Sequence, residues 1–325
     1  MSTRAGAAPL PGQSQPRQRP PFVRTFVLGL SRTRPVRHLV TRTGLFRPVV
    51  NRFIAGEIPA DALTAVADLN ARGLLATVDL LGEATVSDAL ARQAALGYVR
   101  ILDALSGRGL RSHVSVKLSQ LGLDLSLDTA EAWLRDIVAH AQTSRTFVRV
   151  DMEDSGRLAA TQRVFDRVWH AGARNVGIAL QAYLYRTPDD ARRYAARGVS
   201  IRLCKGAYAE PPDLAYARKA DVDAAFVRLM HQLLGSESYL AIATHDERLI
   251  EQTKTLAAAR NVAPQRFEFQ LLYGIRRDLQ ESLVRQGYRV RVYVPFGTHW
   301  YPYFMRRLAE RPANVLFLAR HLLRR

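Results

Sequence analysis

The stretch VSIRLCKGAY, residues 199–208, is the most informative part of this chain, because a short apolar strand ends there with two cations. Its first half is rich in β-branched residues and indicates a buried strand, and such strands seldom carry charged side chains. Arg202 and Lys205 stand at its end, where Gly206 and Ala207 let a bulky ligand approach the backbone. A guanidinium and an ammonium beside that opening suit an electron-rich, anionic ligand such as a phosphorylated cofactor. The sequence therefore predicts a ligand site at the end of this strand.

Strand-like segments alternate with helix-length amphipathic stretches along most of the chain. The predicted strands begin at Leu74, His113, Thr146, Asn175, Val199, Tyr239, Arg266 and Arg289. Helix-compatible sequence follows each strand, for example at 87–105, 129–141 and 218–234. Alternating β and α units predict an α/β fold with a parallel sheet. Eight such units in about 250 residues favour closure into a (β/α)8 barrel.

An open, doubly wound sheet is the structural alternative to the barrel. Such a sheet usually carries GxGxxG after its first strand when it binds a dinucleotide. The nearest match here, Gly107-Arg108-Gly109, lacks the third glycine and precedes a strand instead of following one. The barrel is therefore the preferred interpretation.

Polar side chains gather at the carboxyl ends of the predicted strands, which is where barrel enzymes place their active sites. These candidates are Lys117, Gln120, Asp151, Glu153, Gln181, Arg202, Lys205, Thr244, His245, Asp246 and Tyr293. Strand-end residues that merely meet solvent are the alternative. The recurrence of such side chains at the same end of six of the eight units favours a functional site.

The last unit adds a helix, YPYFMRRLAERPANV, in which Pro302 is predicted to be the first helical residue. Tyr303, Arg306, Arg307 and Glu310 stand at i, i+3, i+4 and i+7 and share one helix face. Glu310 can pair with both arginines and fix them to clamp a carboxylate. An exposed, salt-bridged helix face is the alternative interpretation.

The chain has 325 residues and a net charge of +18, and its excess of positive charge is concentrated near the N-terminus. Ten arginines precede Glu57, the first acidic residue. Residues 1–22, rich in Pro, Gln, Ala and Gly, are predicted to be disordered. We predict a basic, partly helical and partly disordered arm over 1–48 and one catalytic domain over 49–325. Basic arms bind nucleic acid or anionic membranes, and no nucleic-acid module or interleaved aromatic pattern supports the former.

Several other classes of protein are disfavoured by the sequence. No apolar run is long enough to span a bilayer. The single cysteine, Cys204, fits a reducing compartment, and we expect it to face away from the barrel interior as a small hydrophobe. The eight histidines form no HxH, HxxxH or HExxH pair, which disfavours a metal-dependent hydrolase. A GxSxG nucleophile elbow is also missing.

The motifs VKLSQLG, VRVDMEDS, LQAYL, RLCKGAY, ATHD, FEFQLLYG, VYVPFG and YFMRRLAERPAN together resemble the proline dehydrogenase family. The resemblance extends from about residue 52 to residue 314. It implies a distorted (β/α)8 TIM barrel with noncovalently bound FAD and a final helix over the active site. It also implies the monofunctional bacterial form, which catalyses the first step of proline catabolism.

The resemblance assigns a role to each candidate residue. It makes Asp151 and Arg202 catalytic. The substrate-binding residues would be Lys117, Tyr293, Tyr303, Arg306, Arg307 and Glu310. The cofactor-binding residues would be Met152, Gln181, Arg202, Lys205, Gly206, Ala207, Thr244 and His245. Relatives commonly have Asn at the position of Asp246, a departure that affects contacts at the sixth strand.

The family resemblance also implies partners and a location. L-proline would be oxidised to Δ1-pyrroline-5-carboxylate by hydride transfer to FAD, and a membrane quinone would accept the electrons. The expected location is the cytoplasm, with peripheral contact at the inner face of the plasma membrane. Two alternatives stay open: an oxidase of hydroxyproline or another cyclic imino acid, and a binding barrel that has lost turnover.

Overall fold

The computed structural model describes residues 47–310, and it shows a closed barrel of eight parallel strands in sequence order. The strands are β1 Leu75–Leu80, β2 Ser112–Val116, β3 Val148–Val150, β4 Val176–Gln181, β5 Ser200–Cys204, β6 Leu240–Ala243, β7 Phe267–Leu272 and β8 Val290–Phe296. The barrel predicted from the sequence is confirmed, and each of the eight strands lies within its predicted segment or begins one residue before it. The predicted arm lies almost entirely outside the described residues.

Helices connect the strands and cover the outside of the barrel. They are α1 Arg47–Phe53, α2 Pro59–Ala71, α3 Asp88–Gly107, α4 Leu127–Thr143, α5 Ser155–His170, α6 Thr187–Ala195, α7 Lys219–Leu233, α8 Glu247–Ala259, α9 Arg277–Arg285 and α10 Trp300–Glu310. Two short 3₁₀ turns, Leu118–Leu121 and Pro264–Arg266, complete the connections. No helix within the described part of the chain is long and apolar enough to cross a membrane.

Alternation along each strand separates an apolar exterior from a polar interior. On β5, Ile201 and Leu203 are fully buried in the main hydrophobic core. Arg202, between them, pairs in register with Ala179 on β4 and Ala241 on β6. These small neighbours leave space inside the barrel for the arginine side chain, because successive side chains of a strand point to opposite faces.

Several helices begin at side chains that cap their first turn. Asp154 accepts a hydrogen bond from the backbone N–H of Arg157 at 3.3 Å and starts α5 directly after the end of β3. Asp246 likewise accepts from the N–H of Arg248 at 3.2 Å and starts α8. Each cap satisfies an N–H that the helix itself leaves unpaired. Strand ends are thereby tied to the helices that follow them.

The last described helix, α10, lies across the barrel mouth. It begins at Trp300, so the prediction that Pro302 is its first residue is wrong by two positions. Pro302 still falls in the first turn, where its missing N–H removes no helical hydrogen bond. Trp300 and Phe304 pack with Phe53 of α1 in a second apolar cluster, against which Tyr293 of β8 also packs. This cluster fixes the final helix over the site, as predicted.

Candidate active site

A buried ion pair forms the lower layer of the barrel interior. The guanidinium of Arg291 donates to both carboxylate oxygens of Glu268, at 2.8 and 3.1 Å. Burial opposes ionisation of Glu268, but Arg291 outweighs it and holds the pKa of this carboxyl below its usual value. Gln270 donates to Glu268 at 2.6 Å and accepts from Nε of Arg202, also at 2.6 Å. The Arg291–Glu268 pair and Gln270 therefore position Arg202, which lies above them.

Arg202 and Asp151 form the centre of the site. One guanidinium nitrogen of Arg202 donates to Oδ1 of Asp151, and another donates to Oγ of Ser115 at 3.0 Å. Tyr293 donates its hydroxyl to Oδ2 of Asp151 at 2.8 Å, and its ring lies 5.3 Å from the guanidinium of Arg202. Both oxygens of the carboxylate are thus held, which fixes its orientation.

Lys117 sits between two carboxylates. Its Nζ lies 2.7 Å from Oδ1 of Asp79, 3.8 Å from Oδ2 of Asp151 and 3.4 Å from the hydroxyl of Tyr293. Burial alone would lower the pKa of Lys117, but Asp79 and Asp151 raise it above its ordinary value. Burial and the same two carboxylates raise the pKa of Tyr293. Both groups consequently keep their protons at neutral pH.

Arg149 is a third interior arginine, on β3 below Asp151. It donates to the carbonyls of Ile178 and Ser200 and to the hydroxyl of Ser200, at 3.2, 2.6 and 2.8 Å. Burial, followed by the charge of Arg202, lowers the pKa of Arg149 to about 9. Its side chain passes over Gly177, where a Cβ would lie 2.5 Å from Nη1 of Arg149. Glycine is therefore required at this position of β4.

The predicted clamp residues of α10 lie beside the same pocket. Tyr303 and Arg307 are largely buried, and the guanidinium of Arg307 lies 5.2 Å from the ring centre of Tyr303. Tyr303 belongs to the apolar cluster against which Tyr293 of the pocket packs, and Arg306 is half-buried on the same helix. The side chain of Glu310 lies outside the described residues, so its predicted pairing with the arginines stays a prediction.

The predicted cofactor residues form an arc along the ends of β3 to β6. Met152, Gln181, Arg202 and Thr244 are buried there. Lys205 follows them, and it pairs with two carboxylates, those of Asp223 at 2.6 Å and Asp246 at 3.1 Å. Asp246 is therefore both the cap of α8 and a partner of Lys205.

Two backbone features shape this arc. Gly206 has φ of +116°, and a Cβ there would lie 2.4 Å from the ring of Tyr183. Only glycine fits both the dihedral angle and the close approach. The backbone N–H of Leu272 donates to Nε2 of His245 at 2.9 Å, so the ring proton of neutral His245 is on Nδ1. The arc combines cationic, amide and hydroxyl donors with an open backbone, a set that fits an anionic, planar cofactor.

Sequence reasoning missed two residues of the pocket and misplaced a third. Asp79 could have been found as a lone acid inside the apolar run of β1, two residues after Thr77 on the same face. Tyr208 belongs to the quoted RLCKGAY motif but was not assigned a role. Cys204 was predicted to face away from the interior, and this is wrong because residues two apart on a strand share a face. Consistently, burial raises the pKa of Cys204 to about 11, with the charge of Arg202 opposing the rise and that of Asp151 adding to it.

No group of three or more His, Cys, Asp or Glu side chains that could hold a metal ion exists within residues 47–310. The fold and site thus define a (β/α)8 barrel whose mouth holds a charged pocket under a final helix. A family model described as Proline dehydrogenase matches residues 62–320. The chain belongs to the proline dehydrogenase family.

Individual relatives agree with this assignment. The protein named Proline dehydrogenase from Deinococcus radiodurans is 42% identical over 284 residues, which cover 85% of this chain and 90% of the relative. Proline dehydrogenase 1 of Bacillus subtilis (strain 168) is 41% identical over 274 residues, covering 84% of this chain and 90% of the relative. Among solved structures, proline utilization A (PutA) from Bdellovibrio bacteriovorus has a TM-score of 0.77 at 25% identity. That match covers 93% of this chain but 38% of the PutA chain.

Proposed function

We propose that this protein is an FAD-dependent dehydrogenase that oxidises L-proline to Δ1-pyrroline-5-carboxylate and passes the electrons to a membrane quinone. The cluster of Lys117, Asp151 and Tyr293 beneath α10 is the observation that carries the proposal. It provides a pocket with two fixed cations, Lys117 and Arg202, and an aromatic wall, next to an arc of donors suited to a flavin. Membership of the proline dehydrogenase family supports the same substrate.

In this proposal, Arg306 and Arg307 bind the proline carboxylate. Guanidinium groups favour this task because their planar donors match a carboxylate in pairs. Tyr303 supports Arg307 through the ring contact at 5.2 Å. Holding the carboxylate on the α10 side leaves the pyrrolidine ring between Tyr293 and the cofactor arc, which orients the carbon to be oxidised.

The ring nitrogen of proline must lose a proton before the adjacent carbon can give up a hydride. Lys117 and Tyr293 hold their own protons, so neither accepts it, and the proton is released to solvent as proline binds. The ammonium of Lys117 and the guanidinium of Arg202 instead lower the pKa of a bound amine, because nearby positive charge disfavours the protonated form. Asp151 keeps both cations in place through its two oxygens. This division of roles makes Asp151 and Arg202 the pair on which the reaction depends.

The cofactor would be held by the donors at the ends of β4 to β6. When bound, the flavin accepts the hydride. Arg202 would stabilise the resulting negative charge on the ring, and Lys205 would contact the phosphates. We expect Arg202→Met to retain flavin but to slow its reduction, and Lys205→Met to lower the flavin-to-protein ratio. Retained flavin with normal reduction in both variants would contradict this assignment.

A quinone acceptor requires the protein to meet a membrane. We propose peripheral association with anionic lipid through the basic N-terminal residues. Each cation near such a surface contributes about 1 kcal/mol, and salt screens it. Sedimentation with anionic vesicles should therefore fall with added salt and on removal of residues 1–30. Equal sedimentation of both proteins at all salt concentrations would argue against this contact.

The proposed reaction is tested by its product. Purified protein, L-proline and a water-soluble quinone should give a product that has lost two hydrogens, detected by mass spectrometry. D-proline, which cannot place both its carboxylate and its ring in the same pocket, is the matched control. Turnover of hydroxyproline in preference to proline would favour the alternative imino-acid substrate, and no turnover of either would contradict the proposal.

A further inference from the structure

The segment that follows β5, residues 205–216, folds back along the end of β4, and we call it the β5 loop. The backbone N–H of Tyr183 donates to the carbonyl of Lys205 at 3.0 Å, and that of Tyr216 donates to the carbonyl of Tyr183 at 2.8 Å. An antiparallel bridge joins Leu184 to Ala215. Tyr183 therefore lies at the centre of the contacts that hold this loop.

Glu210 ties the same loop to the beginning of α5. Its carboxylate accepts from the backbone N–H of Ser155 at 2.8 Å and also from the hydroxyl of Ser155. Ser155 is the first residue of α5 and comes four residues after Asp151. The contact thus connects the segment after β5 with the segment after β3, and both segments carry residues of the pocket.

The hydroxyl of Tyr183 joins these two sets of contacts. It donates to Oε1 of Glu210 at 3.3 Å, and the ring of Tyr183 lies against Gly206, where a Cβ would come within 2.4 Å of it. Burial, followed by the charge of Glu210, raises the pKa of Tyr183. The phenol therefore stays protonated and remains a donor to Glu210 throughout the neutral range.

Tyr208 lies within the β5 loop, between Lys205 and Glu210, and it is half-buried. Tyr183 holds the loop at Lys205, before Tyr208, and Glu210 holds it after Tyr208. Tyr208 therefore takes its position from these contacts. Burial raises the pKa of Tyr208, and the positive charges of Lys117 and Arg306 oppose this shift.

We propose that Glu210 and Tyr183 are positioning residues that fix Tyr208 in the substrate pocket. The inference rests on the proposed function for the identity of the substrate. A loop that contains Gly206 and Ala207 has many accessible conformations, and ordering it on each binding event would weaken binding. The hydrogen bonds that Glu210 accepts from Ser155 and Tyr183, with the backbone bonds of Tyr183 to Lys205 and Tyr216, select one conformation before the substrate arrives.

Tyr183→Phe removes the hydroxyl and keeps the ring that covers Gly206. We expect KM for L-proline to rise about ten-fold, which corresponds to about 1.4 kcal/mol, with kcat changed less than about two-fold. Tyr185→Phe is the matched control, because the Tyr185 hydroxyl donates to the carbonyl of Pro212 in the same loop at 3.1 Å. This control should leave KM within about two-fold of the wild-type value. Equal KM values for the two variants would overturn the inference.

The coupling between Tyr183 and Tyr208 tests whether the effect passes through Tyr208. The double variant Tyr183→Phe/Tyr208→Ala should have the same KM as Tyr208→Ala alone, because Tyr183 and Glu210 then have no Tyr208 side chain to position. Independent, multiplying effects would show that Tyr183 acts by another route. Glu210→Gln provides a second variant should Tyr183→Phe fail to fold, with the same expected rise in KM and the same coupling.

A protease experiment separates this inference from the proposed function. Absence of proline oxidation by the wild-type protein would contradict the proposed function alone. Tryptic cleavage after Lys205 would then report on the loop directly. Faster cleavage in Tyr183→Phe than in Tyr185→Phe would support the positioning role of Tyr183, and equal cleavage rates would overturn it.

Discussion

Replacing Lys117 with Met should destabilise the fold strongly, because two buried carboxylates depend on its charge. Asp79 is fully buried and Asp151 nearly so, and Lys117 lies 2.7 and 3.8 Å from their oxygens. Removing one partner of a buried ion pair costs about 3–5 kcal/mol, since the remaining charge is left uncompensated. Arg202 still compensates Asp151, so we expect about 3 kcal/mol, near the lower end of that range.

Urea unfolding of the purified protein measures this free energy of unfolding. Lys219→Met is the matched control, because the side chain of Lys219 is 69% exposed and its ion pairs should contribute less than about 1 kcal/mol. Adding Asp79→Asn to Lys117→Met removes the uncompensated charge and should restore at least about 1 kcal/mol. A loss no larger than that of the control, or a double variant less stable than Lys117→Met, would contradict the pairing described here.

The pH dependence of the same experiment has a defined sign. The raised pKa of Lys117 means that its stabilising effect is complete below the pKa of lysine in the unfolded chain, about 10.4, and is lost only above it. The difference in free energy of unfolding between the wild type and Lys117→Met should therefore stay constant between about pH 6 and about pH 9.

Two further predictions concern packing and substrate binding. Gly177→Ala should destabilise the protein by about 1–3 kcal/mol, because the added Cβ would lie 2.5 Å from the carbonyl oxygen of Ser200. Gly107→Ala is the control, because a Cβ there meets no atom within 4 Å and should leave stability unchanged. Thermal unfolding compares the two variants, and equal melting temperatures would argue against the tight packing at Gly177. Arg306→Met and Arg307→Met should each weaken proline binding by about 2–5 kcal/mol with the flavin content unchanged. Steady-state kinetics measure the proline requirement, and absorbance spectra measure the flavin content. Near wild-type activity at low proline would contradict the role of Arg306 and Arg307 in binding the carboxylate.

The fold was largely predictable because its signals are local. Each strand of the barrel is a short apolar run with a polar end, and each helix has its own amphipathic period. The strand ends therefore gave Lys117, Asp151 and Arg202 from their positions alone. Parallel strands in sequence order bring their carboxyl ends to one edge of the barrel. The topology therefore predicted that these three side chains lie near one another.

The pairing inside the site was not predictable in the same way. Asp79 joins Lys117, and Gln270 joins Arg202, through contacts between strands that are distant in sequence. Which side chains meet across the interior depends on the register of the whole barrel. The contacts of the β5 loop were missed for the same reason, because they join a carboxylate within the loop to the hydroxyl of Tyr183, two residues after the end of β4.

The central claim is that the barrel mouth oxidises L-proline with a bound flavin. Anaerobic titration of the purified protein with L-proline, followed by the visible absorbance of the flavin, tests this claim in one cuvette. We expect the flavin bands of the wild-type protein to bleach fully with L-proline. The Arg307→Met variant should need far more proline for the same bleaching. A protein that binds no flavin, or whose flavin bands stay unchanged at saturating L-proline, would contradict it.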